Sequence, residues 1–202
     1  MPRYRQRVVC EADDGWQVIE QQPYLEPEHG DLVPTLDVRE PAAGETYQEF
    51  LAAQGIRHFS AREVTLFRRW GKHEEPPRGM WRNIVPALVL GELLRAELGH
   101  PLVVGNGWRS DDYNRAVKGS AGSRHRYNQA VDFDLPADRR DLDSRKAFAD
   151  AAARLWHKYS DALRMGFGVY DDAPSRIHLD CGHRARFWER RHAWPILQRS
   201  KT

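Results

Sequence analysis

Residues 129–135, Q-A-V-D-F-D-L, alternate apolar and polar, and that alternation commits the segment to a β-strand with two unlike faces. Val131, Phe133 and Leu135 lie on the side expected to meet a core. Asp132 and Asp134, at i and i+2, share the opposite side. A strand that holds two carboxylates on one face needs partners for them, and a candidate precedes it. His125 stands seven residues before Asp132, in the loop S-R-H-R-Y-N that leads into the strand. An imidazole nitrogen and a carboxylate oxygen are both zinc donors, and a catalytic site needs one further protein ligand with a position left open. His178, in the apolar run R-I-H-L-D forty-six residues after Asp132, can supply it. On spacing alone Asp134 is either an acceptor behind the ligands or a solvated side chain.

The surrounding segments predict an α+β fold with a small, mainly antiparallel sheet and helices packed on it, the ligand candidates lying on one sheet face. Residues 4–20 read as a β-hairpin around A-D-D-G, and 21–44, with Pro23, Pro27, Pro34 and Pro41, as an irregular arm. This divides the chain into residues 1–45, a hairpin and proline-rich arm, and 46–202, the domain that carries the site. Thr46 is expected to cap a helix that Gly55 ends. Ser60 with Glu63 forms a capping box for a helix running through Trp70. Asn83 leads a helix with Pro86 in its first turn and Gly99 at its end. P-L-V-V-G-N-G is a short strand, and a helix covers Asp143 to Tyr159, capped near Asp141 or Asp143. G-F-G-V-Y and R-I-H-L-D form a hairpin joined by D-D-A-P-S. The basic segment from Arg184 to about Arg191 is expected as a last helix with a solvated face.

Composition excludes several classes of function. A chain of 202 residues with 41% apolar and 30% charged residues can bury a substantial core. Its net charge of +2, with acids and bases mixed, does not describe a nucleic-acid-binding protein. No apolar run approaches the ~20 residues of a membrane span. The N-terminal segment M-P-R-Y-R-Q-R-V-V-C-E has no apolar stretch behind its positive charge, so cytoplasmic synthesis without a classical signal peptide is expected. Two cysteines, Cys10 and Cys181, are too few for a disulfide framework and are expected as buried thiols.

Among the nine histidines, His125 and His178 each sit beside a strand with a carboxylate in register; His29, His58, His73, His100 and His157 have no such partner, and His183 is a weaker candidate acting from the loop after Cys181. Arg109 follows a strand and Gly107, and lies just before a helix start at Asp111. A guanidinium beside a zinc site suits a substrate carboxylate, which it grips through two charge-assisted hydrogen bonds. The structural alternative is a salt bridge to Asp111 or Asp112. Ser110, Tyr113 and Asn114 are scaffold or pocket lining.

The combined pattern W-R-S-x-x-Y-N-x-x-V-x-G-S-x-x-S-x-H-x-x-x-x-A-x-D, with a later H-x-D, resembles the zinc D-Ala-D-Ala carboxypeptidases. The wider group holds vancomycin-resistance dipeptidases, phage endolysin peptidases and the hedgehog domain. The resemblance spans roughly Gly55 to Trp188. It implies His125, Asp132 and His178 as zinc ligands, Arg109 as the clamp on the substrate's terminal carboxylate, and Ser123 as a supporting residue at the substrate, with Tyr113 beside it. Asn128 stands where the family has glycine, a substitution that a left-handed backbone tolerates. The family's catalytic glutamate position holds Ser175, which leaves Asp172 as the first candidate for general base and Asp171 as the second. Asp180 matches the H-x-D acid, suited to orienting a ligand.

The resemblance therefore implies a zinc peptidase acting on peptidoglycan stem peptides or precursors, first of all a D,D-carboxypeptidase. An endopeptidase of endolysin type, or a zinc-containing module without activity, are its alternatives. It is expected as a monomer acting on cell-wall material after phage-type or other non-classical release.

Overall fold

The computed structural model describes residues 7–8, 19–20, 38–170, 172–182 and 185–189. Two short strands, β1 (Arg7–Val8) and β2 (Ile19–Glu20), pair antiparallel as the hairpin expectation requires; the A-D-D-G turn and most of the proline-rich arm lie outside the described residues.

Capping chemistry sets the helix starts. Helix α1 (Tyr47–Ala53) opens on a complete capping box between Thr46 and Glu49, and Gly55 follows with φ +82°. Helix α2 (Ala61–Val64) opens on the expected Ser60–Glu63 box but stops after one turn. The expectation of a helix through Trp70 is overturned by a tight hairpin of β3 (Leu66–Phe67) and β4 (Lys72–His73), turning at Gly71 with φ +63°. Tertiary packing overrides local propensity here. Phe67 stacks on Tyr113 with ring centroids 4.3 Å apart and planes 7° from parallel, and the Val64 carbonyl accepts the Trp108 N–H at 2.9 Å.

A 3₁₀ turn over Arg78–Ile84 leads into α3 (Val85–Leu98), with Pro86 in its first turn and Gly99 in the left-handed conformation at its end. Strand β5 (Val103–Asn106) precedes α4 (Asp111–Ala116), which Ser110 caps. After a 3₁₀ turn over Arg124–Tyr127 come β6 (Ala130–Asp134), α5 (Leu142–Leu163, capped by Asp141), β7 (Gly166–Val169) and β8 (Arg176–Asp180). The last described element is a strand, β9 (Arg186–Glu189). It corrects the expected C-terminal helix: β9 pairs parallel with β7, and Phe187 packs against Phe167 at 5.5 Å. The exposed backbone edge of β7 is satisfied by a strand and not by a helix.

The five-stranded sheet has the order β5-β6-β8-β7-β9, antiparallel except for the β7–β9 pair. Val131, Phe133, Phe167, Val169, Ile177 and Leu179 form its apolar face and belong to the main core with Leu88, Leu94, Phe148 and Leu155 of α3 and α5. Residues at i and i+2 share a strand face, so Asp132, Asp134, Arg176, His178 and Asp180 all stand on the other side. Polar register and core register are the same fact seen from two faces. Among the described residues no helix is long and apolar enough to cross a membrane.

Candidate metal centre

The strand register places His178 directly opposite Asp132, and the 3₁₀ turn before β6 folds His125 back over the pair. All three are buried, and one donor atom from each lies within 4.8 Å of the others. Asp132 Oδ1 is the point of convergence. His178 Nδ1 lies 2.9 Å from it, His125 Nε2 3.4 Å, and the Tyr170 hydroxyl donates to it at 3.2 Å. Its other oxygen, Oδ2, accepts from Asn106 Nδ2 at 3.0 Å and from Arg109 Nη2 at 3.3 Å.

The outer nitrogens of both rings are fixed. His125 Nδ1 donates to the Gly107 carbonyl at 2.7 Å, which turns the Nε2 lone pair toward Asp132. Gly107 can deliver that carbonyl because it has no side chain: a Cβ there would lie 2.4 Å from the Val64 carbonyl oxygen. His178 Nε2 donates to Asp180 Oδ2 at 3.0 Å, leaving Nδ1 for the centre. Asn128, fully buried, closes the turn with φ +53° and donates to Met80 O and Tyr47 Oη. This is the left-handed conformation expected of it, and its amide ties the turn to the helical layer.

Electrostatics agree with a cation-seeking site. Burial pushes His125 down to about 4, helped by the nearby Arg109 charge, so this ring is neutral and offers a lone pair. Burial also opposes a charge on His178, but its hydrogen bonds to Asp132 and Asp180 outweigh it and push the ring up to about 9. Burial likewise resists ionisation of Asp132, and the two histidines overcome it, holding the carboxyl well below its usual range. Two nitrogens and a carboxylate oxygen, each oriented from behind, are a donor set that fits zinc with a position open.

The raised His178 value gives a prediction for protein freed of metal by a chelator. From about pH 6.5 to about 9 the folded state retains a proton on His178 that the unfolded chain has lost, so this stabilisation is complete below 6.5 and disappears as pH rises through 9. Urea midpoints of metal-free protein should therefore fall across that window, and the fall should be absent from His178→Gln.

The remaining expected site residues are placed as follows. Arg109 does not pair with Asp111 or Asp112; it binds Asp132 Oδ2, its backbone N–H donates to the His125 carbonyl at 3.1 Å, and its buried Nε has no partner. Asp111 instead accepts from Arg126. Ser123 stands at the entry of the His125 turn, half-buried. Tyr113 is not brought to the cluster. It is buried with Phe67 and Trp108 in a small apolar cluster and accepts the Arg69 N–H at 3.1 Å. Asp134 is not solvated but paired through both oxygens with Arg176, each contact 2.7 Å. Asp172 is exposed in the β7–β8 connection, and Asp171 lies outside the described residues. Cys181 is a buried thiol as expected, and burial raises its pKa well above the ordinary value; Cys10 and His183 lie outside the described residues.

Sequence reasoning missed Asn106 and Tyr170. The first comes from the strand edge opposite Asp132 and the second from the end of β7, two residues past the position opposite His178. Their link to the site is visible only once strand order is known.

No curated protein matches the chain. A family model described as Peptidase M15 matches residues 58–180, which include Arg109, His125, Asp132 and His178. With more than half of the chain matched, and a buried His-Asp-His cluster able to hold a metal lying within the matched residues, the chain belongs to the peptidase M15 family, whose members are zinc-dependent metallopeptidases.

Proposed function

We propose that the protein is a D,D-carboxypeptidase that removes the terminal D-amino acid from peptidoglycan stem peptides or their precursors. The observation that carries this reading is the position of Arg109. Its guanidinium is fixed through Nη2 on the carboxylate that the two histidines share, and the side chain keeps 13% of its surface exposed. A cation held at that distance from the reacting centre, and not wholly enclosed, suits a substrate's terminal carboxylate.

His125, Asp132 and His178 would hold zinc, which would supply Lewis acidity toward the scissile carbonyl and lower the pKa of a water toward ~7. The chain's own groups do the rest. Arg109 binds the terminal carboxylate and sets which peptide bond lies over the centre. Tyr170, whose hydroxyl already points at Asp132 Oδ1, donates to oxygen that gains negative charge as the carbonyl is attacked. Asp172 accepts the proton from the attacking water and returns it to the leaving amine as the C–N bond breaks. Its place two residues after Tyr170, on the loop that closes the β7–β8 hairpin, supports that role.

Zinc-loaded protein incubated with a pentapeptide stem should release D-alanine, and mass spectrometry should show the tetrapeptide. Cleavage confined to cross-linked muropeptide dimers would instead make it an endopeptidase. Zinc bound at one equivalent with no cleavage of either substrate would make it a binding module and sink the proposal.

A further inference from the structure

The matched family region ends at Asp180, yet the metal centre does not. His178 Nε2 donates to Asp180 Oδ2 at 3.0 Å, and that same oxygen accepts from Arg186 Nη2 at 2.5 Å. Asp180 is fully buried, while Arg186 is three-quarters buried. Two further features serve this contact. Gly166, opposite Asp180 on β7, leaves the space the carboxylate occupies: a Cβ there would lie 2.2 Å from Asp180 Oδ2 and 2.7 Å from its Cγ. Strand β9 pairs parallel with β7 so that Arg186 is the residue opposite Gly166, one strand beyond Asp180. The parallel strand, the glycine gap and the carboxylate thus stand in one row across three strands.

We infer that Arg186, from outside the matched family region, is a positioning residue for the metal centre: it holds Asp180 in the orientation that keeps His178 Nδ1 aimed at the metal. The physical argument is one of torsion. A carboxylate on a β-strand turns about two side-chain bonds, and one hydrogen bond to His178 leaves it free to swing. The Arg186 contact on the same oxygen, with the Gly166 gap behind it, removes that freedom. A ligand histidine whose outer nitrogen is anchored this way holds metal more tightly, and loss of such an anchor costs about 10–100-fold in affinity. Arg186 acts through Asp180 and touches no ligand itself. This inference rests on the zinc centre and not on the choice of substrate, so failure to release D-alanine leaves it standing.

The test is metal affinity, measured by competition of zinc or Co²⁺ against a chromophoric chelator on full-length protein, with the Co²⁺ visible spectrum reporting ligand geometry. Arg186→Met should weaken binding about 10-fold or more and shift the Co²⁺ bands, and Arg186→Gln, which keeps an N–H donor, should recover part of the loss. In an Asp180→Asn background, Arg186→Met should add almost nothing, because residues acting as one unit are non-additive. Parent-like affinity in Arg186→Met, or a full additional loss in the double variant, would overturn the inference. If Arg186→Met does not fold, Arg186→Gln and Asp180→Asn with their double variant give the same cycle.

Discussion

Asp132→Ala is expected to abolish zinc binding and peptidase activity together, with kcat below about one thousandth of the parent value, because the chemistry that activates water leaves with the metal. Asp132 is the most heavily used side chain of the centre. Both histidines converge on Oδ1, where Tyr170 also donates, while Asn106 and Arg109 bind Oδ2. Its removal also leaves the buried charges of Arg109 and His178 without their shared acceptor. Stranding one partner of a buried ion pair costs about 3–5 kcal/mol. His125→Ala makes the useful contrast. This ring is held neutral by burial, so its loss should remove zinc and activity with a smaller fall in stability. Elemental analysis and urea melts of both variants check the pair, and an Asp132→Ala protein that retains one zinc per chain would refute the ligand assignment.

The second large effect belongs to Arg109. Arg109→Met should lower kcat/KM on a pentapeptide with a free C-terminal carboxylate by about 10²-fold, in the range of 2–5 kcal/mol found when one side of a buried charge pair is truncated. The same peptide with a C-terminal amide should be a poor substrate for the parent and little worse for the variant. Zinc affinity should fall less than tenfold, because Asn106 still holds Asp132 Oδ2. Equal losses on acid and amide substrates would show that Arg109 supports Asp132 and does not read the substrate terminus. The three readouts together separate a clamp from a brace.

The asymmetry of the two histidines follows from what stands behind each. His125 is backed by a neutral carbonyl, that of Gly107, and faces the charge of Arg109, so burial wins and the ring is neutral. His178 is backed by the carboxylate of Asp180 and faces that of Asp132, so in metal-free protein the ring holds a proton that zinc would displace from Nδ1. One ring type thus takes two roles in one cluster, set by the partner of its outer nitrogen.

Much of this arrangement was legible in the chain itself. The alternation of residues 129–135 determined that Asp132 and Asp134 share a face opposite Val131 and Phe133, because strand side chains alternate whatever the strand pairs with. The capping boxes at Thr46 and Ser60 and the left-handed residues Gly99 and Asn128 were equally local, resting on backbone geometry within a few residues. So was the motif that carries His125 and Asp132. Only the tertiary structure decided the rest. The Ser60 helix stops at Val64 because Phe67 finds Tyr113, forty-six residues away, and no local signal records that contact. The segment near Arg186 is a strand because β7 presents an open edge to it. Strand order puts Asn106 and Tyr170 on the carboxylate of Asp132, and Arg186 on that of Asp180. The Gln129–Leu135 alternation named the ligand strand and its polar face, while the fold alone could choose the neighbours, since side chains distant in sequence meet only through packing.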